Sequence, residues 1–103
     1  MTDQLPESPR IVARETPGDI YSKSLVFVNP ALQIETTVCT AENFTRMNTP
    51  YAADEFFSFD ENLSFADGRW TLTVDDIVDS LEVKTTRRIF QSDDDGRTWK
   101  QTK

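Results

Sequence analysis

Near the end of the chain the residues run Arg88-Ile89-Phe90-Gln91-Ser92-Asp93-Asp94-Asp95-Gly96-Arg97-Thr98-Trp99-Lys100-Gln101. Two short stretches with β character flank Ser-Asp-Asp-Asp-Gly, whose residues bond to their own backbone or tolerate positive φ. The segment therefore reads as a hairpin. It sets the expectation for the rest of the chain, which carries several more runs of the same kind.

Working back, Val83 to Gln91 alternates, with Val83, Thr85, Arg87 and Ile89 opposing Lys84, Thr86, Arg88 and Phe90. Asp75 to Glu82 places Ile77, Val78 and Leu81 at helical spacing behind two acids, so a short helix or turn is expected there. Arg69 to Val74 puts Trp70, Leu72 and Val74 on one side. It returns from Glu55–Asp60 and Leu63-Ser64-Phe65 through the tight-turn residues Ala66-Asp67-Gly68. Ala41 to Ala53 has no clean period and reads as loop, with room for one helical turn over 41–47. Ile20–Val28 and Gln33–Thr40 are rich in β-branched and aromatic residues and pair across Asn29–Leu32. Residues 1–19, with Pro6, Pro9, Pro17 and Gly18, read as a flexible arm carrying at most an edge strand over 10–14. The fold expected is a single small β domain over 20–103. It is a mainly antiparallel sandwich or partly open barrel of six or seven strands, with at most one short helix. Its core should draw on Leu25, Phe27, Ile34, Val38, Phe57, Phe59, Trp70, Leu72, Ile89 and Trp99.

Counted from Ser92, the hairpin reads Ser92-x-Asp94-x-Gly96-x-Thr98-Trp99 and resembles the Asp-box of bacterial neuraminidase repeats. All the defining positions are present. The resemblance implies an exposed structural turn remote from any active site, and a single copy on a chain of 103 residues is far too little for a propeller. A calcium loop is a second reading of the same residues, with Gln91, Asp93, Asp95 and Gly96 in an EF-hand register. It lacks Asp at the first position and has Thr102 where a bidentate Glu is required. Asp67-Gly68-Arg69-Trp70 echoes the hairpin, but Trp follows Gly at a different offset, so this is similar turn chemistry and not a repeat.

Composition removes several functions. The chain contains no histidine and one cysteine, Cys39, which excludes Ser-His-Asp and Cys-His catalysis, histidine-based zinc sites and thiolate clusters. With three glycines it carries no phosphate loop or dinucleotide fingerprint. No catalytic, cofactor-binding or metal residue is assigned, and no cofactor is expected. No apolar run approaches membrane length and the first residues are acidic and polar, so a cytoplasmic protein without membrane contact is expected. The net charge is −7, with nine acids between Asp54 and Glu82 against the single base Arg69, a balance that repels nucleic acid.

These exclusions favour a non-catalytic accessory or adaptor protein that binds another protein through a sheet face, a sheet edge or an acidic surface. The candidate contact residues are Asp54, Glu55, Asp60, Glu61, Asp75, Asp76 and Asp79. A variant is an acidic inhibitor or immunity-type protein that covers a basic site. The alternative is a small-ligand-binding β-barrel in which Trp70 lines the mouth and Arg87 or Arg88 meets an anionic group. A homo-oligomer is compatible with each reading.

Overall fold

The computed structural model describes residues 8–42, 56–79 and 82–103. Among these residues seven strands form two antiparallel sheets: β1 (Arg10–Thr16), β2 (Asp19–Asn29) and β3 (Ile34–Glu42) in one, β4 (Phe56–Ala66), β5 (Arg69–Asp79), β6 (Val83–Ser92) and β7 (Lys100–Gln101) in the other. Within each sheet the strands pair in sequence order. The described residues contain no α-helix, only one 3-10 turn at Pro30–Leu32.

The turns follow local chemistry. Asp67 and Gly68 take φ of 54° and 76°, the pair of positive values that suits the right-handed twist of a two-residue hairpin joining β4 to β5. Pro17-Gly18 likewise turns β1 into β2, so the edge strand reaches Thr16, two residues beyond the expected limit. Where a short helix was expected over 75–82, β5 instead continues as strand to Asp79, and 80–81 lie outside the described residues. Pairing of Asp75 to Asp79 with β4 and β6 on both sides outweighs the helical spacing of two or three apolar residues. β3 runs to Glu42, which leaves no helical turn at 41–42, and the rest of that stretch is outside the described residues.

The sheets face each other across a core of Leu25, Ala41, Leu72, Val74 and Phe90, with Ile11, Val38, Cys39, Phe59, Leu63 and Trp99 packed against it. Register explains two differences from the expected core. Phe90 lies opposite Leu72, so the inward face of β6 is that of Phe90 and Arg88, and Ile89 points outward. In β3, Leu25 pairs with Cys39 while Val26 pairs with Thr37, so Val38 is the extra residue of a bulge. Beyond it the parity reverses, and Cys39 and Ala41 join the inward side.

Val26, on the outer face of the first sheet, is also only 4% exposed. Arg14 on β1 and Glu35 on β3 form a bidentate ion pair with both contacts at 2.9 Å. Their register positions place them on the diagonal through Val26, so the pair spans β2 above it. The guanidinium holds the Glu35 carboxyl below its ordinary range, first by hydrogen bonding and then by charge.

Candidate functional site

The Ser92–Trp99 hairpin is organised around Ser92 and Asp94. Ser92, 2% exposed, donates to Asp94 Oδ1 at 2.8 Å and accepts the Gly96 N–H at 2.9 Å. Asp94 accepts the Thr98 N–H at 2.9 Å and its hydroxyl at 2.5 Å. These bonds to Thr98, with the one from Ser92, hold the Asp94 carboxyl down at about 2. The Trp99 Nε1–H donates to the Gly96 carbonyl at 2.9 Å. Its ring and that of Trp70 both rest on Phe27 of the opposite sheet, with centroids 5.3 and 5.2 Å away. Every polar group named here is consumed inside the turn, so the arrangement anchors the hairpin to the core.

The acids singled out from sequence do not gather on one face. Asp60 and Asp75 are direct cross-strand neighbours on the outer face of β4 and β5, and Arg87 of β6 is opposite Asp75 on its other side. Arg87 binds Asp75 in bidentate fashion at 2.8 and 3.0 Å, which lowers the Asp75 carboxyl pKa chiefly through the hydrogen bond. Around this row, Asn62, Thr73 and Glu61 complete the lining of an open depression. Asp76 points the other way, into the space between the sheets, and meets Arg88 at 2.6 Å. Asp79 is placed only as a strand position opposite Phe56 and Val83, and Asp54 and Glu55 lie outside the described residues.

No family model, curated protein or solved structure matches this chain. The site therefore has to be read from its own geometry.

The trio Arg87, Arg88 and Trp70 is not brought together. Alternation sends Arg87 outward and Arg88 inward, and Trp70 is packed between Phe27 and Phe65, the latter with its centroid at 4.6 Å. Arg88 bridges the sheets: it holds Asp76, donates Nη2–H to the Thr40 carbonyl of β3 at 2.9 Å, and lies 5.9 Å from the centre of the Phe90 ring. Beside this bridge, burial pushes the Cys39 thiol up to about 11, which leaves it protonated and unreactive at neutral pH. No group of three or more metal-ligating side chains occurs among the described residues. None of the helices there is long and apolar enough to cross a membrane.

Sequence reasoning missed Asn62 and Thr73 as members of the polar face. Alternation across the Asp67-Gly68 turn would have placed them beside Asp60 and Asp75, once the two strands were extended to their full length.

Proposed function

We propose that this chain is a small non-catalytic accessory or adaptor protein, working in the cytoplasm, that binds another protein through the acidic outer face of β4–β5–β6. The observation that carries the reading is the Asp60–Asp75 pair. Two carboxylates directly opposite each other on adjacent strands oppose folding, and Arg87 offsets only the Asp75 side. A partner surface bearing Lys or Arg over Asp60 and Asp75 would relieve that repulsion on binding. The aromatic packing favours the same choice over a ligand-binding barrel, because Phe27 packs on both Trp70 and Trp99, and Trp70 packs on Phe65. The likeness of Ser92–Trp99 to an Asp-box fits here as a structural element, since its hydrogen bonds close on themselves.

The test is a pull-down from host lysate with tagged protein, eluted in steps of salt, alongside a D60N variant. A stoichiometric partner released by moderate salt and lost with the variant supports the proposal. A partner held equally by both proteins at high salt would move the contact to another surface, and the absence of any partner would sink the adaptor reading.

A further inference from the structure

β6 begins with a stretch of edge that the other described strands of its sheet leave open. β7 pairs only with Phe90 and Gln91, and the last residues reach one position further, where the Ile89 N–H donates to the Lys103 carbonyl at 3.2 Å and the Thr102 N–H to the Ile89 carbonyl at 2.7 Å. The backbone groups of Ile89 thus face β7. By the alternation of an antiparallel strand, those of Val83, Thr85 and Arg87 face the same way. No strand among the described residues pairs with them on that side. All five residues from Val83 to Arg87 are exposed, Val83 by 63%, so the facing sheet does not overhang this end.

We propose that this edge pairs with itself in a second copy of the chain, antiparallel, about a two-fold axis at Thr85. The open ladder is bounded by Ile89, already bonded to the C-terminal residues, and by the bend at Glu82, and its midpoint is Thr85. In that register Thr85 meets Thr85 of the second copy, Val83 meets Arg87, Lys84 meets Thr86 and Glu82 comes opposite Arg88. The three open residues of each copy then make about six backbone hydrogen bonds, two for each hydrogen-bonded pair. The charge pattern selects this register over its neighbours. An axis at Thr86 opposes Lys84 to Arg88, and an axis at Lys84 opposes the two lysines to each other, both unfavourable. The product is a continuous sheet through two copies. It leaves the outer face at Asp60 and Asp75 uncovered and does not depend on the adaptor reading.

The contact is small, so association is weak, with a dissociation constant on the order of 10–100 μM. Each copy carries a charge of −7, so added salt should strengthen the dimer by screening that repulsion. This is opposite in sign to the effect on an acidic face bound to a basic partner.

The experiment is sedimentation equilibrium of the full chain at low and moderate salt, from well below to well above that range, with wild type and T85P. The Thr85 N–H points away from β5, so proline removes an edge donor without breaking the β5–β6 ladder. Near-ultraviolet circular dichroism of Trp70 and Trp99 checks that the variant is folded. Amide exchange of the wild type gives a second, mutation-free measurement. Expected are a monomer–dimer equilibrium, weakening of about tenfold or more in T85P, and protection at Val83, Thr85 and Arg87 that rises with protein concentration. A wild type that stays monomeric throughout, a dimer indifferent to T85P, or protection of those amides independent of concentration would each overturn the proposal.

Discussion

The backbone of Gly96 lies directly against the ring of Phe27, so that a β-carbon at position 96 would come within 2.1 Å of the ring carbon Cε2. The two residues belong to different sheets, and their contact seats the C-terminal hairpin on the core. Gly96 also takes φ of +92°, which a side chain resists on its own account. G96A should therefore destabilise the protein by about 2–4 kcal/mol, combining left-handed strain with overpacking. Urea unfolding followed by tryptophan fluorescence measures it, and the native spectrum should shift as well, because both tryptophans touch the displaced ring.

Asp94 gives a pH prediction with a definite sign. Its folded carboxyl is held at about 2, below its ordinary value near 3.8, so its contribution is complete above the unfolded value and is lost as pH falls from there towards 2. D94A should lower stability at pH 7 and flatten the loss of stability of the wild type between about pH 4 and 2. Thermal melts across that interval provide the comparison. Parallel curves for the two proteins would show that the hydrogen bonds to Thr98 and Ser92 do not tune this carboxyl.

Arg88 and Asp76 are each about three-quarters buried, with side chains 25% and 23% exposed. R88A leaves the Asp76 carboxylate between the sheets without its partner and releases the Thr40 carbonyl, at a cost of about 1–3 kcal/mol once partial solvent screening is allowed for. Replacing both residues by leucine should recover much of that loss, because no charge is then left uncompensated. A double-mutant cycle in urea separates the pair from its surroundings, and additive single effects would mean that the two side chains do not interact energetically.

Val38 offers a test of register. Deleting it aligns Cys39 with Leu25 and Thr37 with Val26 as consecutive pairs, and Ile34, Thr36, Cys39 and Ala41 all stay inward. The deletion should remain folded, losing about 1–2 kcal/mol of packing. Deleting Thr73, in the regular centre of β5, inverts half a strand and should prevent folding. Circular dichroism and chemical-shift dispersion distinguish the two outcomes.

Much of this architecture is legible in the chain because period and punctuation agree. Asp67-Gly68 and Asn29-Pro30 mark turns, and the runs around them alternate cleanly. Period fails where two faces look alike. On β6, Ile89 with Arg87 and Phe90 with Arg88 are equivalent by composition, and only the register against Leu72 decides which face is buried. The bulge at Val38 carries no local mark, and neither does the strand through Asp75–Asp79, whose helical spacing is overruled by pairing on both sides. The polar site was harder still. Alternation separates Asp75 from Asp76 and Arg87 from Arg88, so neighbours in sequence that look like one charged patch are divided between solvent and the space between the sheets.

The sequential order of the strands bears on how the molecule can be divided. Among the described residues every ladder joins strands adjacent in the chain, and none joins β1–β3 to β4–β7. The halves meet through contacts such as Phe27 with Trp70 and Trp99, and the Arg88 side chain with the Thr40 carbonyl. Cutting the chain between Glu42 and Phe56 would break no ladder among the described residues, so residues 1–42 and 56–103 form a natural pair of complementing fragments. Reassembly of the two peptides would then be read directly from Trp70 and Trp99 of the C-terminal one, which rest on Phe27 of the other.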